Sequence, residues 1–266
     1  MRPDWGYYGT YDESAYPDLW NGVVNYWAPC LGPTGLRLHD VSRSNSWGTL
    51  TDMDAATDWT VSSGQYALDF DGSNDYVTMG NQAAYFQSTD AFMFAFWVKV
   101  NSFVANGGVL ARANAGERGY HVRTLSTSRL RWIVYSTGDN FYGVDTSVLT
   151  AGVWYSVVAS FFSGTSRLFL NGVEQTTTVI GLPVGSLTQD FPFEIGRLNA
   201  VYGDVSISDL VAMRGAASVN FALQFHQLGR GGMLQRRSRR RAYSFMPGIN
   251  IPILTARNSI IGGGTI

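Results

Sequence analysis

The sequence predicts an all-β protein, a sandwich or jelly roll with an extended arm at each end. Three observations carry this. Short strand-like segments recur from residue 21 to about 228 with no long helix between them. Turn residues punctuate them, most clearly Asn171-Gly172 between two apolar runs. The composition, with 30 Gly, 14% aromatic and 15% charged residues, suits a turn-rich β-domain with a large core and excludes a disordered chain.

The strands follow in order. Residues 22–27 form the first. Residues 92–100 form the clearest: Phe92, Phe94, Phe96, Val98 and Val100 share one face, and Met93, Ala95, Trp97 and Lys99 the other. Two largely apolar faces predict a central strand covered on both sides. Residues 109–111, 120–123 and 130–135 come next, the last two joined by a turn at 126–128, which sets Arg123 opposite Arg131. Residues 154–162 and 167–170 precede Asn171-Gly172, and 193–195 and 205–213 complete the set. Residues 217–228 read as one short closing helix.

Two flanking segments differ in composition. In residues 1–20, Trp5, Tyr7, Tyr8, Tyr11, Tyr16 and Trp20 interleave with Asp4, Asp12, Glu13 and Asp18, without helical or strand period. From residue 229, Gly231-Gly232 breaks the chain, Arg236, Arg237, Arg239, Arg240 and Arg241 form a basic run, and Ile249, Ile251 and Ile253 alternate as an added edge strand would. The segments therefore divide as 1–20, 21–228 and 229–266. The overall net charge of −1 conceals a separation. Residues 1–229 hold 12 basic and 20 acidic residues, a net of −8, and residues 230–266 hold seven arginines and no acid, a net of +7. Such a pair invites an electrostatic clasp between the tail of one copy and the body of the next. An acidic body argues against nucleic acid as the partner of the arginine run. No apolar run is long enough for a membrane helix, and the N-terminus shows no secretory core, so no cleaved leader is expected. Cys30, the sole cysteine, excludes an internal disulfide.

Four landmarks in order carry a resemblance: Asn25-Tyr26-Trp27 with Leu31-Gly32-Pro33-Thr34-Gly35 and Trp47-Gly48-Thr49-Leu50; Ala67-Leu68-Asp69-Phe70-Asp71-Gly72-Ser73-Asn74-Asp75-Tyr76-Val77; Gly152-Val153-Trp154 leading to Leu168-Phe169-Leu170-Asn171-Gly172; and Ile195-Gly196-Arg197 followed by residues 203–212. The chain resembles the laminin G-like (LamG) branch of the concanavalin A-like lectin/glucanase superfamily over residues 22–228. The resemblance implies a jelly-roll sandwich of two antiparallel sheets and covers neither arm. A LamG core with an Arg-rich tail and no secretion signal is also similar to LamG-containing structural proteins of tailed phages.

Candidate sites follow. The resemblance implies calcium for some members, and Asp71, Asn74, Asp75 and Asp209 are the candidate ligands, since calcium takes six to eight hard oxygens. The plainer reading is that Asp71 and Asn74 bond their own turn. Retaining glucanases of this fold use two carboxylates on one strand. The four glutamates, Glu13, Glu117, Glu174 and Glu194, have no acidic neighbour at that spacing, and none of His39, His121 and His226 lies in a nucleophile elbow, so no catalytic residue is assigned. His121, Arg123, Arg131 and Trp132 form a candidate ligand face, with Tyr135, Tyr142 and Tyr202 as further aromatics. Facing arginines cost stability and invite an anion or a carboxylate partner. Two functions stand. One is a non-catalytic virion structural protein, displayed on a capsid or other particle surface and assembled in the host cytoplasm. Trp5, Tyr7, Tyr8, Arg236, Arg237, Arg239, Arg240, Arg241, Ile249, Ile251 and Ile253 would anchor it to other virion proteins or sister copies. The other is a lectin-like module that binds surface polysaccharide, with or without calcium.

Overall fold

The computed structural model describes residues 16–80, 91–113, 119–135, 141–181 and 191–235. Two sheets dominate it. The first runs, strand by strand, Val173–Gln175, Thr165–Leu170, Trp154–Phe162, Phe92–Val100, Asp204–Arg214, Gln65–Asp71 and Trp59–Ser62, with Val23–Trp27 added to the far end of Asp204–Arg214. The second runs Thr177–Gly181, Phe141–Asp145, Arg129–Tyr135, Gly119–Leu125, Gly108–Ala113, Glu194–Ile195, Tyr76–Thr78, Gly48–Thr51 and Arg37–Leu38. The pairings along both paths are antiparallel. The sandwich of two antiparallel sheets is the architecture expected from the sequence.

The strand Phe92–Val100 lies at the centre of the first sheet, and its two faces part as the alternation requires. Phe92, Phe94, Phe96, Val98 and Val100 enter the core between the sheets, where Phe94 stacks on Phe193 with centroids 5.4 Å apart. Met93, Ala95 and Trp97 enter a second core on the outer face of the same sheet. Full burial of a large apolar side chain is worth about 1.5–3 kcal/mol, so covering both faces of one strand fixes its register firmly. Asn171 and Gly172 both take positive φ, 50° and 80°, as a two-residue hairpin needs. A β-carbon at Gly172 would also lie 2.9 Å from the Leu223 Cα.

The second core is closed by helices and by both ends of the described chain. α1 (Pro17–Trp20) starts with Pro17 in its first turn and buries Leu19 and Trp20. α2 (Val219–Leu228), the expected closing helix, is N-capped by Ser218, whose hydroxyl accepts from the Phe221 amide at 3.1 Å. It buries Ala222 and Phe225. A 3-10 turn, Gly232–Leu234, adds Met233 and Leu234. Residues 17–20 and 229–235, read from the sequence as parts of the arms, thus pack on the body. A period search misses both, because one turn of helix is too short to show a repeat.

Candidate functional site

The turn after Gln65–Asp71 is held by its own groups. The Asp71 carboxylate accepts from the Ser73 amide at 2.8 Å, and the Asp71 amide donates to Asp75 Oδ2 at 3.1 Å. Gly72 has a φ of 78°, and a β-carbon there would meet the Asp204 Cβ at 2.9 Å. Burial pushes the buried Asp75 carboxyl up to about 6, with Asp71 and Asp58 adding to the rise. Asn74 is exposed.

Asp209 does not join this turn. Asp71 is the register partner of Asp204, and Asp209 lies five residues further along the same strand, roughly 16 Å away at a strand's rise. Its carboxylate is buried in the second core and serves as an internal post. Oδ1 accepts from the Tyr26 hydroxyl at 2.7 Å and the Cys30 thiol at 3.1 Å. Oδ2 accepts from the Gly231 amide at 2.9 Å and the Ser208 hydroxyl at 3.1 Å. Burial, then this carboxylate, push the Cys30 thiol and the Tyr26 phenol well above their ordinary values. Asp71, Asn74, Asp75 and Asp209 therefore do not converge on one ion. Among the described residues no group of three or more His, Cys, Asp or Glu is placed to hold a metal.

The hairpin Gly119–Leu125/Arg129–Tyr135 sets Arg131 opposite Arg123 and Ile133 opposite His121. These four lie on the outer face of the second sheet. Trp132, one residue from Arg131, points the other way: it is fully buried in the inter-sheet core, and its Nε1 donates to the Ser160 carbonyl at 3.0 Å. It cannot be a ligand platform. Tyr142 packs against the same core. Arg131 forms a two-pronged pair with Asp145, at 2.7 and 2.9 Å, through Nε and Nη2. The hydrogen bonds to Asp145 raise the Arg131 pKa above the usual guanidinium value.

The face is less open than alternation suggests. His121 is fully enclosed, and Arg123 is 9% exposed. Among the described residues neither His121 ring nitrogen has a hydrogen-bond partner. Burial, then the charges of Arg123 and Arg131, push the imidazole down to about 3, so it is neutral at physiological pH. Tyr135 lies beside it, with centroids 6.0 Å apart, and Phe141 packs on Tyr135 at 4.8 Å.

One polar group on this face was not singled out from the sequence, although it borders a landmark. Glu194 and Arg197 form a two-pronged ion pair, with Arg197 Nε donating to Glu194 Oε2 at 3.0 Å. The Arg197 guanidinium lies 3.6 Å above the Tyr76 ring, and Tyr202 sits 6.4 Å from Tyr76. Glu194 is the register partner of Ala111, and Ala111 of His121, so the pair shares the row that holds His121. Glu174 is likewise held by Arg167, at 2.6 and 2.7 Å.

The two ends of the described chain meet on the opposite side of the sandwich. The Trp20 indole donates to the Met233 carbonyl at 2.9 Å. The segment that follows α2 is latched further by Gln65, which donates to the Arg230 carbonyl at 2.9 Å, and by the Arg230 guanidinium, which lies 4.3 Å over Trp154 and donates to the Ser62 carbonyl. The arm residues Trp5, Tyr7, Tyr8, Arg236, Arg237, Arg239, Arg240, Arg241, Ile249, Ile251 and Ile253 lie outside the described residues.

A two-sheet antiparallel sandwich with this hairpin order defines a lectin-type β-domain. The laminin G-type model of the concanavalin A-like lectin/glucanases superfamily matches residues 71–218, more than half of the chain, and the protein belongs to that superfamily. No curated protein sequence matches the chain. Solved structures of the same fold include a Trypanosoma rangeli sialidase in complex with the inhibitor DANA (12% identity, TM-score 0.58, 77% of this chain and 32% of that one). The binding domain of botulinum neurotoxin serotype G is similar at 13% identity and a TM-score of 0.59, over 77% of this chain and 51% of that one. The binding domain of Paraclostridial mosquitocidal protein 1 is similar at 12% and 0.59, over 77% and 52%. The chain thus spans about a third to a half of these proteins, and at such identities the likeness is one of fold.

Proposed function

We propose that this chain is a non-catalytic structural protein of a virion, a LamG-type sandwich displayed on the particle surface and anchored through its terminal arms. The observation that carries the reading is the meeting of the two chain ends. Trp20 and Met233 touch on the outer face of the first sheet, so both ends of the described chain come together at one place on the body. Two arms that start from one spot can grip one partner surface, and the second sheet then faces away from it. The separation of charge, −8 on residues 1–229 and +7 on residues 230–266, supports a partner that is acidic, another virion protein or a sister copy. The pairing of Glu174 and Glu194 with arginines supports a role without catalysis.

The test compares the full chain with a version lacking residues 236–266. The shortened chain is expected to keep the fold, by circular dichroism, and to lose both co-sedimentation with purified particles and salt-sensitive self-association. Full retention of both refutes the anchoring role.

A second reading, a lectin-like module that binds surface polysaccharide, is favoured by one arrangement. On the outer face of the second sheet, the half-buried Arg131 lies four residues along its strand from the half-buried aromatic pair Tyr135 and Phe141. The two readings are compatible, since an anchored sandwich would present that face outward.

A further inference from the structure

We propose that the outer face of the second sheet, at its Arg37–Leu38 edge, binds a neutral saccharide, with a pyranose ring stacked on the Trp47 indole and its hydroxyls held by Arg37, Thr49 and Thr78. This rests on the lectin-like reading and gives it a place and a ligand class.

The face is closed around His121 but open at this edge. A β-carbon at Gly48 would lie 2.5 Å from Val77 Cγ1 and 2.6 Å from the Met79 sulfur, and Leu50 sits in the inter-sheet core, so Gly48 and Leu50 point inward. Trp47 and Thr49, each one position away, point outward. Arg37 is the register partner of Thr49, and Thr49 of Thr78. The three side chains thus form one row across adjacent strands, roughly 5 Å apart. Arg37, Trp47 and Thr49 are exposed, and Thr78 is half-buried.

Three observations converge. First, Trp47 is fixed although no core covers it. It is 37% exposed and belongs to neither apolar core. His39 stacks on it with centroids 4.1 Å apart, the Arg37 guanidinium lies 5.3 Å from the ring centroid, and the indole Nε1 donates to Asn45 Oδ1 at 2.6 Å. Holding a large exposed ring in one place costs rotamer freedom, and a ring fixed in advance spares a ligand that cost. Second, the backing comes from one side. Arg37 and His39 lie two residues apart on the neighbouring segment, so they approach the same side of the indole and leave the opposite face to receive the C–H face of a sugar. Third, the row beside the ring has hydrogen-bonding capacity to spare. Thr78 Oγ1 accepts from the Gly80 amide at 3.2 Å and keeps its own hydrogen to donate. The Thr49 hydroxyl can both donate and accept. Among the described residues no carboxylate pairs with Arg37, so its fork of N–H donors is open to sugar hydroxyls. The charge balance selects a neutral ligand. Arg37 is exposed, so its pull on an anion is weak and screened by salt, and the net charge of −8 on residues 1–229 opposes an acidic sugar.

The experiment is calorimetric titration of the full chain with the neutral sugars cellotriose, mannotriose and lactose, against the acidic trigalacturonate. At least one neutral sugar is expected to bind more tightly than trigalacturonate, and its affinity should be unchanged in about 0.5 M salt, where charge attraction is screened. Trp47→Ala should weaken binding about tenfold or more, as loss of an aromatic anchor does, with the fold intact by circular dichroism. Trp47→Phe, which keeps a ring, should weaken it less. Arg37→Met, which keeps the stem and loses the donors, should also weaken it. Should Trp47→Ala fail to fold, the wild-type chain decides: the Trp47 indole N–H resonance, assigned by its absence from Trp47→Phe, should shift on titration with the sugar that binds. Binding that survives Trp47→Ala, or that leaves this resonance unmoved, overturns the proposal while the lectin-like reading stands. Preference for trigalacturonate, lost in salt, overturns the ligand class. Silence towards every sugar defeats both the proposal and the lectin-like reading, and if Trp47→Ala then abolishes self-association or particle binding, the face is a protein contact instead.

Discussion

Asp209 joins the fold to the proposed anchor, so its removal tests the account most sharply. Asp209→Ala deletes the acceptor for four donors at once: the Tyr26 hydroxyl, the Cys30 thiol, the Ser208 hydroxyl and the Gly231 amide. A thiol is a weak donor, and the Ser208 hydroxyl already has the Tyr66 carbonyl 3.5 Å away. Tyr26 is 1% exposed and cannot turn to water, and the Gly231 amide sits where the chain is pinned by Gln65 and Arg230. Leaving a buried donor unmade costs about 1–3 kcal/mol, so two of them give about 2–6 kcal/mol. That is a large share of the 5–15 kcal/mol that holds an ordinary domain together. Asp209→Asn keeps the volume and one acceptor oxygen and should cost about 1–2 kcal/mol. Urea unfolding followed by tryptophan fluorescence measures both, and an unchanged slope would show that the unfolded state is unaltered. Trypsin gives the local readout: in Asp209→Ala, cleavage after Arg230 should accelerate, since the Gly231 tie to the body is gone. A loss of under 1 kcal/mol at unchanged slope, with Arg230 still protected, would refute the view that Asp209 posts the chain end to the sandwich.

Two further predictions concern pH. Asp75 is pushed from about 4, the ordinary value for an aspartate, up to about 6, so the folded state binds the proton more tightly than the unfolded one. Stability should therefore fall as pH rises from about 4 through 6, by at most about 3 kcal/mol, and Asp75→Asn should remove that slope in denaturant melts at stepped pH. His121 runs the other way: its folded pKa of about 3 lies below the free value of about 6.5, so stability should be lost as pH falls across that window. The loss is at most about 1.4 kcal/mol per pH unit, and His121→Phe should flatten this acid limb in the same melts.

The body of the sandwich was legible because its signals are local. Alternation over Phe92–Val100 reports two buried faces directly, and the structure fills both, Phe94 and Phe96 on one side and Trp97 on the other. Asn171-Gly172 specifies a left-handed pair of residues whatever surrounds it. The pairing of Arg123 with Arg131 followed from one short turn between two strands. The site was legible in part. Alternation separates Trp132 from Arg131, and the sheet's core lies on the tryptophan's side, so the neighbouring aromatics left on the outer face are Tyr135 and Phe141.

What the sequence determined by itself was therefore the two-sheet class, the order of hairpins, the closing helix, the separation of charge and the residues that face one another across a turn. Each of these depends on neighbours a few positions apart. What only the tertiary structure decided was which faces are closed and what the buried polar groups do. Asp209 is a post for the chain end because Gly231, distant in sequence, returns to it, and Trp20 reaches Met233 across 213 positions. His121 is enclosed, although its alternation reads as that of an outward residue. Burial is a property of the whole packed chain, since solvent is excluded by whichever segments come together in space, and no periodicity within one strand records which segments those are.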